Sequence, residues 1–290
     1  MSDMPARLNA AEQQTLAMPL LSIEGISVSF AGIKALTDVS FQVMPGELFA
    51  VIGPNGAGKT SLFNLLSRVY QPVAGKVTFD GNDLLQLKTY QAVRTGIART
   101  FQNLGQFPTS TVLDYLLLGR HIRMHSGILR GGMYVGMTSN EEMKNRAYCL
   151  HLLDLLGLKH VSNYTLGSLP YGLQKRADLA RALALEPRLL LLDEPVAGMS
   201  LEESEDIASV ILDIKEQLGI TQILVEHDMA VVMGIADRIL VLDFGRVIAQ
   251  GVPAEIQANP DVIKAYLGEE FESGAVYSPE TMSIPIVDSQ

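Results

Sequence analysis

The sequence predicts an α/β fold built on a mostly parallel core sheet, and three runs carry that prediction. Residues 47–52 are short, apolar and rich in β-formers, and they lead into a glycine-rich loop and then a helical pattern. Residues 189–192 are four leucines that end in Asp193-Glu194-Pro195. Residues 221–226 repeat the arrangement and end at His227-Asp228. Strands that are apolar throughout, alternating with helices, belong to parallel sheets covered on both faces.

In chain order, residues 1–19 read as a polar extension, with Asp3, Arg7 and Glu12 interrupting any apolar segment of the kind a secretory signal needs. Residues 23–30, 39–44 and 76–82 alternate loosely between apolar and polar and predict a small antiparallel β layer. Within it, Phe30 reads either as a strand-end core residue or as a ring that stacks on a nucleotide base. Strand signals stop from about 103 to 170, where residues 112–121 and 141–156 read as helices of an inserted subdomain. The α/β pattern then resumes with a helix over 172–186, stopped by Pro187, and a helix over 201–218, stopped by Gly219. Asp243-Phe244-Gly245 copies a kinase motif without the His-Arg-Asp loop that should accompany it, so it reads as the turn of a hairpin. Short helices near 253–258 and 260–267 close the fold, and residues 269–290 form an acidic, polar tail expected to be disordered.

Composition narrows the function. A net charge of −10 argues against a nucleic-acid binder that works through a broad basic face. The single cysteine, Cys149, excludes an internal disulfide, and its apolar helical surroundings mark a small buried side chain rather than a nucleophile. No apolar run reaches the length of a membrane span.

Chemistry begins with Gly53, Pro54, Asn55, Gly56, Ala57, Gly58, Lys59 and Thr60, which match G-x-x-x-x-G-K-[ST] without a mismatch and are followed by Ser61. The glycines let several backbone N–H groups converge beside a positive helix N-terminus, Lys59 adds charge for the β- and γ-phosphates, and Thr60 offers a hydroxyl to Mg²⁺. Strand, loop and helix in that order are the context the motif requires, so the chain is expected to bind a nucleoside triphosphate. Asp193 and Glu194 should arrive at the same sheet edge, Asp193 for Mg²⁺ and Glu194 to polarise the attacking water. His227, at the next strand end, is placed to bond a γ-phosphate.

Phosphate loop, Gln102, the Leu-Pro-Tyr-Gly-Leu-Gln segment 169–174, Leu-Leu-Asp-Glu-Pro and His227 follow one another in an order that resembles the nucleotide-binding subunits of ABC transporters. The resemblance covers roughly residues 20–268, and within the family it is similar to the LivG type, which serves importers for branched-chain amino acids and related solutes. Ala98-Arg99-Thr100-Phe101-Gln102-Asn103, Tyr171-Gly172, residues 223–229, Val232-Met233-Gly234-Ile235 and residues 259–268 carry that closer match.

The resemblance implies a P-loop ATPase of ABC type hydrolysing Mg²⁺-ATP. It assigns Phe30 to base stacking, Gln102 to the Mg²⁺ site and its link to the helical subdomain, and Lys59, Glu194 and His227 to catalysis. Leu169, Pro170, Tyr171, Gly172, Leu173 and Gln174 would form the signature that completes a partner's ATP site. The expected partners are a second ATP-binding subunit, two membrane permeases and, indirectly, a solute-binding protein, at the cytoplasmic face of the membrane. Pro170 replaces the signature serine, Leu173 the glutamine and Ser200 the usual D-loop aspartate, which points to an asymmetric heterodimer. A soluble ABC ATPase not coupled to transport, and uptake of urea or another amide or aromatic solute, are the alternative readings.

Overall fold

The computed structural model describes residues 18–30, 32–100, 107–120 and 135–273, with the backbone alone at residues 135–141 and 267–273. A four-stranded antiparallel sheet takes the order β2-β1-β4-β5, from β1 (Leu21–Phe30), β2 (Ile33–Val43), β4 (Ala74–Phe79) and β5 (Asn82–Asp83). The second sheet has six strands in the order β10-β9-β3-β8-β7-β6, comprising β3 (Leu48–Ile52), β6 (Ile97–Arg99), β7 (Leu189–Asp193), β8 (Thr221–Val225), β9 (Arg238–Asp243) and β10 (Arg246–Gly251). Every pairing in it is parallel except β10 with β9, which is the expected hairpin.

The helices are α1 (Lys59–Leu66), α2 (Thr89–Arg94), α3 (Val112–Arg120), α4 (Val135–Leu155), α5 (Tyr171–Leu183), α6 (Leu201–Leu218), α7 (Met229–Ile235), α8 (Pro253–Gln257) and α9 (Pro260–Ser273). Because successive strand residues face opposite sides, the central strands divide their side chains between two cores. Leu48, Ala50, Ile52, Leu190, Leu192, Leu224 and Val241 pack with α3, α4, α5 and α6. Phe49, Val51, Leu189, Leu191, Ile223 and Val225 pack with α1 and the inner face of the antiparallel sheet. Burying both faces is why these runs are almost wholly apolar, with Thr221 and Gln222 buried at the start of β8.

Several boundaries depart from the sequence reading. β2 starts at Ile33, not 39; Ile33 and Lys34 are exposed, so no alternation announces that end of the strand. α4 begins at Val135, six residues before the expected 141. α5 begins at Tyr171 and ends at Leu183, because Glu186 takes a left-handed φ of 50° before Pro187 is reached. α9 runs through Ser273, so the tail expected to be unstructured from 269 begins no earlier than 274. Helix α6 has the expected ends: Ser200 and Glu203 form a capping box, and Gly219 closes it at φ 64°.

Candidate phosphate site at the sheet edge

Strand register brings the chemistry together. Val225 on β8 lies opposite Val51 on β3 and opposite Asp193 on β7. The glycine loop, the Asp193-Glu194 pair and the Glu226-His227 pair therefore leave three adjacent strands at one carboxyl edge, where open α/β sheets hold their ligands.

The loop is held by its surroundings. Gly53 has φ 149°, and a Cβ there would lie 2.0 Å from the Leu242 carbonyl oxygen. Gly58 has φ 107°, with the Ala35 carbonyl oxygen 2.6 Å from any added Cβ, so β2 and β9 press on the loop from both sides. Gly245, in the β9–β10 turn, donates its N–H to the Ala57 carbonyl at 2.9 Å and accepts from the Thr37 N–H at 2.8 Å. The kinase-like tripeptide is thus a hairpin turn that buttresses the loop. Lys59, only 5% exposed, donates to the Gly53 and Pro54 carbonyls, the latter at 2.9 Å. Asn55, Gly56 and Thr60 are exposed at the loop surface, and Ser61 is half-buried.

Glu194 sits at φ 48°, a left-handed conformation that costs a non-glycine residue of order 1 kcal/mol. Its N–H donates to the Val225 carbonyl at 2.9 Å, and Lys175 Nζ donates to its carbonyl at 3.2 Å. Its Oε1 shares a 2.8 Å hydrogen bond with His227 Nε2, joining two expected catalytic residues from different strand ends. Asp193 is 3% exposed, and its carboxylate pairs with Arg99 at 2.5 Å.

Phe30 is 40% exposed at the end of β1, with Tyr70 edge-on at 4.5 Å between ring centroids; it is not a closed core residue. Leu169, Pro170, Tyr171, Gly172, Leu173 and Gln174 lie at the start of α5, with Pro170 as N-cap. The Gln174 N–H donates to the Pro170 carbonyl at 3.1 Å and its side chain to the Leu169 carbonyl at 2.8 Å. Glu203 faces this segment across Gly172, and Ser200 hydrogen bonds hold its carboxyl below the usual range. Gln102 lies outside the described residues.

Two residues of this edge lie in runs that carry the resemblance but were given no role from the sequence. Glu226, 2% exposed, accepts the Val196 N–H at 2.8 Å and the His227 N–H at 3.0 Å. Arg99 bridges Asp193 and Asn64 Oδ1, the latter at 2.7 Å. The available signal was similar in both cases, a charged residue at the carboxyl end of a buried strand, Arg99 as the last residue of β6 and Glu226 just past β8.

Residues 36–197, more than half the chain, match the family described as ABC transporter. The chain belongs to the ABC transporter ATPase family. Residues 246–272 of this ABC subunit also match the family described as branched-chain amino acid ATP-binding cassette transporter. It is 37% identical to the high-affinity branched-chain amino acid transport ATP-binding protein BraF of Pseudomonas aeruginosa over 254 residues, 88% of this chain and 100% of the relative. The Escherichia coli protein LivG, of the same description, gives the same identity and coverage. Among solved structures, the ADP conformation of an ATP-binding cassette superposes with a TM-score of 0.77 at 31% identity, over 87% of this chain and 99% of that one. A nucleotide-free cassette gives 0.76 at 30%, over 86% and 99%. The ABC ATPase fold expected from the motifs is therefore the fold of this chain.

Among the described residues, no helix is long and apolar enough to cross a membrane.

Proposed function

We propose that this ABC ATPase hydrolyses Mg²⁺-ATP to drive import of branched-chain amino acids through partner permeases. The cargo rests on the named function of its relatives and on the match of its C-terminal segment. The chemistry rests on one observation: the Glu194–His227 hydrogen bond at the edge from which the phosphate loop also emerges.

In this reading the loop N–H groups and Lys59 hold the β- and γ-phosphates, Lys59 leaving the carbonyls of Gly53 and Pro54 to do so. Phe30 supplies a partly exposed ring for the base. Glu194 takes a proton from the attacking water as it bonds to the γ-phosphorus; the bond from that phosphorus to the bridging oxygen breaks, and ADP departs. His227, already oriented by Glu194, bonds a γ-phosphate oxygen.

Mg²⁺ fits the donors available. Thr60 offers an exposed hydroxyl and Asp193 a buried carboxylate, and a cation that takes phosphate oxygens and keeps waters needs few protein ligands. Thr60, Asp193 and Gln102 would hold it, and when bound it neutralises charge on the phosphates.

The subunit works in a head-to-tail pair with a second ATPase, on the cytoplasmic face of the membrane, with two permeases and a solute-binding protein delivering cargo. Pro170 removes both a hydroxyl and an N–H from the signature, which favours a heterodimer in which this chain's own loop uses the partner's signature. The test is Glu194→Gln: nucleotide affinity should persist while turnover falls by about 10²-fold or more. Unchanged turnover would remove Glu194 from the role of base.

A further inference from the structure

The guanidinium of Arg99 joins three parts of the site. Its Nη2 donates to Asp193 Oδ2 at 2.5 Å, and its Nη1 donates to Asn64 Oδ1, on the phosphate-loop helix α1, at 2.7 Å. The plane also lies over the Phe63 ring at 5.6 Å. Its backbone carbonyl accepts from Arg181 Nη2 of α5 at 2.8 Å, and Arg181 is fixed in turn by Asp178, which also accepts from the Tyr115 hydroxyl. The residue is therefore anchored at its backbone, and its charged end spans β7 and α1.

Asp193 is 3% exposed, so its charge requires a partner, and here the partner is Arg99. The nucleotide reading above brings a second cation to the same carboxylate. A guanidinium on Oδ2 and a divalent ion on the same carboxylate repel each other, which favours withdrawal of the guanidinium when the metal arrives. Asn64 gives the guanidinium a second anchor about which it can turn away while keeping one hydrogen bond.

Resting on that nucleotide reading, we propose that Arg99 is a built-in counter-cation for Asp193 that is exchanged for Mg²⁺ when nucleotide loads, and so sets how strongly binding depends on Mg²⁺. In Mg²⁺-free binding, Arg99 shields the incoming phosphates from Asp193. In Mg²⁺-dependent binding, Arg99 competes with the metal. Removing the charge should weaken the first and strengthen the second.

The experiment titrates a fluorescent ATP analogue into the full chain, in Mg²⁺ and in EDTA, for wild type and Arg99→Gln. The ratio of Mg²⁺ to EDTA affinity should rise at least about fivefold in Arg99→Gln, the lower end of ordinary site-to-site coupling. A folded Arg99→Gln with the wild-type ratio, or a smaller one, overturns the proposal. Arginine-side-chain ¹⁵N spectra of wild-type protein give a second reading that needs no variant. The restrained Arg99 guanidinium signal should persist with nucleotide in EDTA and change when Mg²⁺ is added; an identical signal in both overturns the exchange. A wild-type chain that binds no nucleotide even with Mg²⁺ would refute the site reading, whereas binding with an unmoved ratio refutes only the role of Arg99.

Discussion

Replacing Glu226 by alanine should both destabilise the protein and slow its turnover. The side chain is 2% exposed and clamps two backbone N–H groups, Val196 at 2.8 Å and His227 at 3.0 Å. One belongs to the segment after Glu194, the other to the residue that hydrogen-bonds Glu194. Hydrogen bonds to a charged acceptor contribute about 1.5–3 kcal/mol each, and alanine leaves both donors unsatisfied. Against this, burial pushes the Glu226 carboxyl above its ordinary value of 4.5. The N–H groups of Val196, His227 and Asp228 oppose that rise, and the nearby Glu194 charge adds to it. The raised value means that the ionised group is costly to bury, so alanine recovers part of what it loses, and the net destabilisation is about 2–4 kcal/mol. At about 2–4 °C per kcal/mol for a chain of this size, the melting temperature should fall by roughly 4–16 °C. A carboxyl raised on folding contributes stability that is fully present below its unfolded pKa and is lost as pH rises through the folded one. Glu226→Gln carries no such loss, so its stability relative to wild type should improve as pH climbs from 4.5 toward neutrality. Thermal melts across pH, with phosphate release at each step, check all three statements. An unmoved melting temperature in Glu226→Ala would refute the clamp, and a Glu226→Gln-to-wild-type difference flat with pH would refute the raised carboxyl.

Gly245→Ala places a Cβ 2.6 Å from the Ala35 carbonyl oxygen at φ 75°, so the turn must leave the phosphate loop; nucleotide affinity should fall with stability, read by titration and melting. Ser200→Ala loses the cap of α6 and should cost about 1 kcal/mol in a denaturant melt, whereas Ser200→Thr, which keeps the hydroxyl that both caps the helix and donates to Glu203, should cost less.

What could be read from the sequence was whatever depends on near neighbours. The strands β3, β7 and β8 were legible because burial on both faces makes them largely apolar, with Thr221 and Gln222 the polar exceptions at the start of β8 and Asp193 at the end of β7. The end of helix α6 was legible because Gly219 is a local stop signal; its Ser200–Glu203 capping box, equally local, was not read. The phosphate loop was legible because its glycines and Lys59 are adjacent in sequence. The start of β2 at Ile33 was not, since exposed strand residues carry no alternation. Nor were the partners of Arg99 and Glu226, because a buried ion pair or clamp is chosen by residues from elsewhere in the chain. Arg99 finds Asp193 across 94 positions and Glu226 finds Val196 across 30, and only the strand register of the folded sheet brings them together.

The central claim, that ATP hydrolysis by this chain powers solute import, is tested most directly in vesicles carrying the complete complex. ATP cleavage and uptake of labelled leucine would be followed together, with wild type and with Glu194→Gln. Uptake that needs ATP and is lost together with cleavage in the variant is the predicted result. Uptake that continues in Glu194→Gln, or cleavage that never couples to uptake of any branched-chain amino acid, would contradict it.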